Sequence, residues 1–105
     1  MIRSRRPSSQ TLALLAALLE QPQQWQYGYE LSKGTRLKSG TLYPILMRLS
    51  DQGFLHSRWK DSDQPGRPPR HVYRLSTEGV AFARRELEEV TASESSHRLI
   101  KVGAR

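Results

Sequence analysis

The sequence predicts a mostly α-helical fold that carries one two-stranded β-hairpin, an α+β class. Apolar residues recur with a helical period of 3.6 in the first half of the chain, the period changes to two after Gly53, and it becomes helical again after Ser76. The 105 residues are enough for one domain with one modest core. We therefore expect helices, then a hairpin, then a last helix.

The first helix is predicted to begin at Ser8 or Ser9 and to run to about Gln21, because Pro22 cannot continue it. Apolar residues cover nearly its whole circumference, which is more than one core contact needs. The helix is either packed entirely inside its own chain or buries a second face against a partner chain. In the second arrangement, Leu14 and Leu18 lie in a dimer interface.

The arginines of residues 1 to 7, followed by this apolar run, imitate the start of a signal peptide. The run from Leu12 to Leu19 is only eight residues long, far short of the roughly 20 that span a bilayer, and Glu20 to Gln23 offers no cleavage site of small residues. We expect the run to belong to the fold, residues 1–7 to form a basic arm, and the protein to have no contact with membranes.

A short second helix is predicted from Tyr27 to Lys33, followed by a tight turn. A third helix follows from Ser39, its expected N-cap, to Gly53, which is expected to be left-handed just beyond the C-terminus. In this helix the residues at i, i+3, i+4 and i+7 form one apolar stripe that faces a core: Leu42, Ile45, Leu46 and Leu49.

The opposite face of the third helix must then lie outward. From Leu31 to Ser50 the chain holds four basic residues and no acidic residue, so an anion would be attracted there. Pro44 lies in the second turn, where it costs a backbone hydrogen bond, and this marks an exposed helix start. The predicted DNA contacts here are Lys38, Ser39, Thr41, Tyr43, Pro44 and Arg48, with Arg48 on a guanine or a phosphate.

The hairpin is predicted from alternating residues at Leu55, Ser57 and Trp59, with a return strand around Val72 to Leu75. Trp59 and Tyr73 are expected to pack the hairpin on the helices. Its tip contains Pro65-Gly66 and two further prolines, which stiffen it. The second and third helices, joined by their tight turn, are predicted to form a helix-turn-helix in which the third helix is the recognition helix. A basic ribbon that follows it is the wing of a winged helix-turn-helix. The candidate DNA contacts of the wing are Arg67 and Arg70.

Ser76 or Thr77 is expected to cap a last helix, with Glu78 in its first turn. Apolar residues at spacings of three, four and three form a narrow seam of the coiled-coil kind. The seam is predicted to join two chains through Val80, Ala83, Leu87 and Val90. Residues 8–75 then form the DNA-binding domain, and residues 76–105 form the dimerisation helix and tail.

Composition limits the possible functions. The net charge of +7 arises in residues 1 to 75, which hold twelve basic and five acidic side chains. The chain has no cysteine, which fits a reducing cytoplasm. No nucleophile and base, no acid pair and no metal cluster share a face, and His56 and His71 lack a third ligand. We expect no enzymatic activity, no metal ion and no cofactor.

Short motifs between residues 27 and 79 resemble the PadR family of bacterial transcriptional regulators in its short form. They are Tyr27 to Leu31, Ser39 to Leu46 with the specific Gly-Thr-Leu-Tyr-Pro core, Arg48-Leu49, Gly53 to Leu55, Gly66 to Pro68, Tyr73 to Leu75 and Thr77 to Gly79. The resemblance implies a dimeric winged-helix repressor of a palindromic operator, often relieved by a small molecule, with the first and last helices in the dimer. Arg36, where glycine is common in such turns, is a departure that predicts a differently shaped turn.

The sequence therefore predicts a cytoplasmic, homodimeric regulator that binds double-stranded DNA, with the third helix in the major groove and the wing on the backbone or minor groove. A winged-helix module that binds protein or RNA is the alternative that the same basic face leaves open.

Overall fold

A computed structural model describes the backbone of residues 7–103 and the side-chain surroundings of residues 7–92. The chain forms α1 (Ser9–Glu20), β1 (Gln26–Tyr27), α2 (Gly28–Thr35), α3 (Ser39–Asp51), β2 (Leu55–Lys60), β3 (Arg70–Leu75) and α4 (Thr77–Gly103). This order confirms the predicted α+β class and adds one strand. The predicted basic arm lies outside the described residues, apart from Pro7.

Helix α1 begins where the sequence predicts. The side chain of Ser8 is the N-cap and accepts a hydrogen bond from the backbone N–H of Thr11 at 3.1 Å. The helix ends at Glu20, just before Pro22. Its apolar face packs against α2 and α4 of the same chain, so the apolar run is part of the fold.

The predicted dimer interface stays a prediction, and the single chain shows which of its residues are accessible to a partner. Leu14, Leu18 and Ala83 are at most 1% exposed and belong to the chain's own core, because α4 packs back on α1. They have no exposed surface to offer a second chain in this conformation. Val80, Leu87 and Val90 are partly exposed, and only these members of the predicted interface remain accessible.

The wing belongs to a three-stranded antiparallel sheet with the order β1-β3-β2. The hairpin register pairs Leu55 with Leu75 and Lys60 with Arg70, which confirms the two predicted wing strands. The third strand, β1, is only two residues long, and a period of two cannot be recognised in so short a segment.

Burial in the hairpin differs from the prediction. In β2 only Leu55 is buried, whereas Val72, Tyr73 and Leu75 of β3 are buried. Trp59 is 66% exposed and stacks on His71 instead of packing on the helices. The alternation identified the correct face of the strand, but the hairpin extends beyond the helices that cover its base.

Ser76 joins the end of α3, the base of the wing and the start of α4. Its hydroxyl donates to the carbonyl of Gly53 at 2.6 Å and accepts from the N–H of Gly79 at 3.0 Å. Its own N–H donates to the carbonyl of Phe54 at 3.0 Å, and the residue is 3% exposed. Gly53 has a φ of +85°, the left-handed conformation predicted for it.

Helix α4 continues to Gly103. Phe82 on its first half stacks on Phe54 with ring centroids 4.2 Å apart. Among the described residues no helix is both long enough and apolar enough to cross a membrane.

The space around two glycines predicts opposite effects when each is replaced by alanine. A Cβ atom on Gly79 would overlap the carbonyl oxygen of Phe54, whereas a Cβ atom on Gly34 in α2 meets nothing within 4 Å. Gly79→Ala should lower the free energy of unfolding by about 2 kcal/mol or more through overpacking. Gly34→Ala should raise it by about 0.5–1 kcal/mol because alanine favours the helix. Urea unfolding measures both, and equal stability of the two variants would contradict the tight junction.

Candidate nucleic-acid interface

Helix α3 presents the predicted face to the outside. Its stripe of Leu42, Ile45, Leu46 and Leu49 is at most 5% exposed and lies in the core. The opposite side is open: Pro44 and Arg48 are exposed, and Thr41 is half-buried. The helix begins at Ser39 with Lys38 as its N-cap, one residue earlier than predicted, and both residues are exposed.

The turn before α3 has the unusual shape that Arg36 predicts. Arg36 ends α2 with a φ of +63°, and it is the only non-glycine residue among the described ones with a positive φ. Two side chains hold the turn: the Ser32 hydroxyl donates to the Leu37 carbonyl at 2.6 Å, and the Thr35 hydroxyl donates to the Leu31 carbonyl at 2.6 Å. The N–H of Leu37 donates to the Thr35 hydroxyl at 3.2 Å. These bonds stabilise a backbone conformation that costs roughly 1 kcal/mol for a residue with a side chain.

Tyr43 of α3 packs directly on Gly28, the first residue of α2. A Cβ atom at position 28 would overlap the Tyr43 hydroxyl oxygen and lie 2.9 Å from its Cζ. Tyr43 is nevertheless 39% exposed. Contact with the glycine fixes the ring and leaves one of its sides open to a ligand.

The wing tip carries the predicted arginines Arg67 and Arg70, both exposed. Gly66 in the tip has a φ of +83°, which turns the chain back toward β3. The two arginines line one small depression of about 220 Å³ together with Lys60 and with two acidic residues, Asp61 and Asp63. The guanidinium of Arg70 also lies 5.6 Å from the Tyr27 ring centroid, and Lys60 approaches the same ring at 5.8 Å.

Two other cations of the sheet lie over the ring of Trp25, which is half-buried. The guanidinium groups of Arg58 and Arg74 lie 4.4 Å and 4.7 Å from the Trp25 ring centroid. These cation–π contacts keep the charges while restricting the side chains. The register places Arg58 and Arg74 on the face of the sheet that carries Val72, opposite to the face with Trp59 and Tyr73.

A groove of about 970 Å³, here called the aromatic groove, opens between α3 and the wing. It brings Tyr43 and Arg70 together, two predicted DNA contacts that lie far apart in the sequence. Its walls are formed by Tyr27, Gly28, Tyr29, Tyr43, Met47, Trp59, Arg70, His71 and Tyr73.

Three exposed members of the groove were not predicted as site residues. Tyr29, Met47 and Trp59 are 64%, 66% and 66% exposed. The projection of α3 already places Met47 outward, so its position was available from the sequence. Tyr29 and Trp59 become part of one surface only through the packing of α2 and the wing.

No metal site forms from the two histidines. The register pairs His56 with Arg74 and His71 with Trp59, so the two imidazoles do not meet. Within the described part of the chain, no group of three His, Cys, Asp or Glu side chains could hold a metal ion.

The helix-turn-helix, the hairpin wing and the exposed basic face define a winged helix-turn-helix protein. The sequence matches the transcriptional regulator PadR-like family over residues 14–88. The chain therefore belongs to the PadR-like family of transcriptional regulators, which confirms the resemblance noted from its motifs.

Solved structures agree with this assignment. The chain is similar to smu.1704 from Streptococcus mutans UA159, with 27% identity, a TM-score of 0.74 and coverage of 95% of each chain. A PadR family transcription regulator from Clostridium difficile R20291 has 26% identity and a TM-score of 0.70 over 86% of this chain and 96% of that chain. A PadR-like transcription factor from Bacteroides fragilis has 26% identity and a TM-score of 0.65 over 88% and 87%. A search of curated proteins found no match.

Because the pKa of Tyr73 is raised, we expect the free energy of unfolding to decrease at alkaline pH. Burial raises the pKa of Tyr73 above 10.0, and nearby Tyr43 acts in the same direction. As pH rises above 10, the unfolded chain releases this proton before the folded chain does. The contribution of Tyr73 to the free energy of unfolding is therefore fully present below pH 10 and is lost as pH rises through the pKa of the folded chain. Urea unfolding between pH 8 and 11 should show a smaller loss for Tyr73→Phe than for the unsubstituted protein.

The phenol of Tyr73 lies 3.1 Å from Nδ1 of His71, so Tyr73→Phe also removes a hydrogen bond, and the change with pH is the quantity to compare. Tyr29→Phe removes an exposed phenol and is the control, because Tyr73 remains in it. Parallel pH profiles for all three proteins would show that Tyr73 does not cause the loss.

Proposed function

We propose that this protein is a sequence-specific repressor that binds a palindromic DNA operator as a homodimer. Helix α3 enters the major groove, and the wing contacts the backbone or the minor groove. The observation that carries the proposal is the outward face of α3 beside a basic wing. Within residues 7–92, neither Arg48 nor Arg67 has a salt bridge or a ring contact that would occupy its guanidinium.

The residues have distinct roles in this proposal. Arg48 binds a guanine edge or a phosphate, and Thr41 and Tyr43 contact phosphate or a thymine methyl group. Lys38 and Ser39 face a phosphate at the start of α3, and Pro44 approaches the bases. Arg67 and Arg70 hold the backbone beside the groove that α3 enters.

Neutralising two arginines tests DNA binding. The operator is first selected from random duplexes, and we expect a two-fold symmetric site with half-sites about ten base pairs apart. Fluorescence anisotropy then measures affinity for that duplex across salt concentrations. Each lost phosphate contact lowers the slope of log K against log salt by about one, and a dimer loses two for each substituted residue. Arg48→Gln with Arg67→Gln should therefore reduce the magnitude of the slope by about four if both arginines contact phosphates, and by about two if Arg48 contacts a guanine instead.

Arg84→Gln together with Arg85→Gln is the matched control, because it also removes two positive charges, from the exposed side of α4. It should retain the affinity and the salt slope. If Arg48→Gln with Arg67→Gln also retains both, the operator-binding proposal is wrong, and a protein- or RNA-binding module becomes the better interpretation.

The homodimer is proposed to use surfaces of α1 and α4 that the core leaves partly exposed. Leu87 and Val90 lie three residues apart on α4, and Leu12 and Leu19 lie seven apart on α1, so each pair forms part of one stripe. All four are half-buried in the single chain. A second copy would cover them, as the family resemblance implies for these two helices.

Leu87→Glu tests the dimer by placing a charge in the proposed interface. Analytical ultracentrifugation should show a dimer of the unsubstituted protein at micromolar concentration and a dissociation constant on the order of a hundredfold weaker for the variant. Ala81→Glu adds the same charge on the exposed opposite side of α4 and should leave the dimer intact. A monomeric unsubstituted protein, or equal effects of both variants, would exclude this interface.

A further inference from the structure

The sheet has a second basic surface, on the side that faces away from α3. The register pairs His56 with Arg74 and Arg58 with Val72, and paired side chains of an antiparallel ladder project to the same face. The other face carries Tyr73, which lines the aromatic groove together with residues of α3. Strands β1, β2 and β3 contain no acidic residue. The surface formed by His56, Arg58 and Arg74 is here called the basic face.

The two arginines of the basic face are held in place without losing their charge. Their guanidinium groups lie over the ring of Trp25, and Arg74 also donates a long hydrogen bond of 3.4 Å to the carbonyl of Gln23. Within residues 7–92 neither guanidinium has a carboxylate partner. A guanidinium has five N–H donors, so most of them remain available to an oxyanion. Because the side chains of Arg58 and Arg74 are already restricted, ordering them costs less when an oxyanion binds.

A concave pocket of about 510 Å³ adjoins the basic face, where the base of the sheet meets the segment after α1 and the first half of α4. Its basic walls come from His56 and Arg74 of the sheet and from Arg84 of α4. None of the described residues that line it is acidic. A ligand that fits it must therefore combine negative charge with apolar groups, because its apolar walls are formed by Pro22, Leu75, Val80 and Ala81.

This mixed lining favours a polypeptide over a nucleic acid. The backbone of a duplex presents phosphates and no apolar group that could enter the pocket. An acidic polypeptide presents carboxylates and apolar side chains side by side. Protein interfaces are also enriched in arginine and aromatic residues and depleted in lysine, and the charged side chains here are arginines grouped near Trp25.

We propose that the basic face and its pocket bind an acidic segment of a partner protein, in which carboxylates flank an apolar side chain. The carboxylates pair with the guanidinium groups of Arg58, Arg74 and Arg84. The apolar side chain lies in the pocket against Val80 and Ala81. Because the basic face points away from α3, the segment and DNA can be bound at the same time. This simultaneous binding rests on the proposed function, whereas the docking site does not.

The test of docking uses an acetylated peptide that repeats the unit Asp-Leu-Asp, with the two tryptophans as reporters. The protein contains only Trp25, which lies at the basic face, and Trp59, which lies on the other face of the sheet. In a nitrogen-15 correlation spectrum, Trp25→Phe assigns the two indole N–H signals. Titration with the peptide should shift the Trp25 signal in a saturable manner and leave the Trp59 signal in place.

Two control peptides of the same length separate charge from apolar contact. A repeat of Asn-Leu-Asn keeps the apolar side chain without the charge, and a repeat of Asp-Gly-Asp keeps the charge without the apolar side chain. Calorimetry should find each at least about tenfold weaker than the Asp-Leu-Asp peptide, because each lacks one of the two kinds of contact.

Variants of the protein locate the site, with the anisotropy of a fluorescein-labelled peptide as the measurement. Arg58→Gln with Arg74→Gln should weaken the peptide by about tenfold or more. Ala81→Glu leaves both arginines in place and should also weaken it by about tenfold, because it adds a repelling carboxylate to the pocket. Arg48→Gln with Arg67→Gln is the matched control, since it removes two positive charges from the α3 side, and it should bind the peptide within about threefold of the unsubstituted protein. Circular dichroism shows whether each variant is folded.

An unshifted Trp25 signal, equal binding of either control peptide, or an equal loss in Arg48→Gln with Arg67→Gln would overturn the docking site. Undiminished binding by Ala81→Glu would also overturn it. A random-sequence duplex that displaces the peptide from Arg48→Gln with Arg67→Gln would show that the basic face is a nucleic-acid site instead.

Simultaneous binding is tested by adding the selected duplex to the labelled peptide complex. At about 0.15 M salt, where exposed charges more than about 8 Å apart are largely screened, a saturating duplex should change the dissociation constant of the peptide by less than about threefold. A duplex that excludes the peptide would overturn simultaneous binding alone. If no duplex is selected, the proposed function fails, and the titrations of the free protein still decide whether the basic face binds the peptide.

Discussion

Burial of the apolar stripe of α3 is the constraint on which the arrangement of the interface depends. Leu42, Ile45, Leu46 and Leu49 together fill the centre of the core, and each contributes about 1.5–3 kcal/mol relative to exposure. A rotation of the helix by one residue, 100°, would expose part of this stripe, so α3 has one stable orientation. The outward direction of Pro44, Met47 and Arg48 follows from that orientation. Because the helix is fixed by its buried side, the exposed side can be occupied by residues that stabilise nothing.

The wing is positioned by a different interaction. Ser76 connects the carbonyls of Gly53 and Phe54 to the first turn of α4, and Gly79 allows the two segments to approach closely. The base of the hairpin is therefore held between the end of α3 and the start of α4. Beyond the pair of Arg58 and Val72 the hairpin extends past the helices, and this creates the aromatic groove beside α3. The groove is a consequence of a fixed base and an uncovered tip.

Local signals made much of this fold predictable. Ser8, Ser76 and Gly53 determine helix ends through their own side chain or backbone, and the stripe of α3 is visible as a spacing. Other features depend on which segments of the folded chain pack against each other. The sequence shows that Leu14 and Leu18 are apolar, but it does not show whether the same chain or a partner buries them. Similarly, alternation assigns Trp59 to a face of β2 without indicating how far the core extends along that strand.

The exposure of the predicted DNA contacts was predictable residue by residue along α3 and the wing, but the way in which the fold brings them together was not. Every predicted DNA contact on these elements is exposed, or half-buried in the case of Thr41, because each was read from its own position on a helix or a loop. The contacts with aromatic rings arise only in the folded chain. Arg70 is restrained over Tyr27, whereas Arg67 has no ring contact within residues 7–92.

This difference changes how the two arginines would contribute to binding. Ordering a long side chain at an interface costs about 0.5–1.5 kcal/mol. Arg70 has already lost part of that freedom in the free protein, and Arg67 has not. Their charges are equal, so in the proposed complex each would affect the salt dependence of DNA binding alike, while the restrained arginine would contribute more to affinity. The net charge of the chain alone therefore does not rank the cations of this interface, because the aromatic residues beneath them decide which are preorganised.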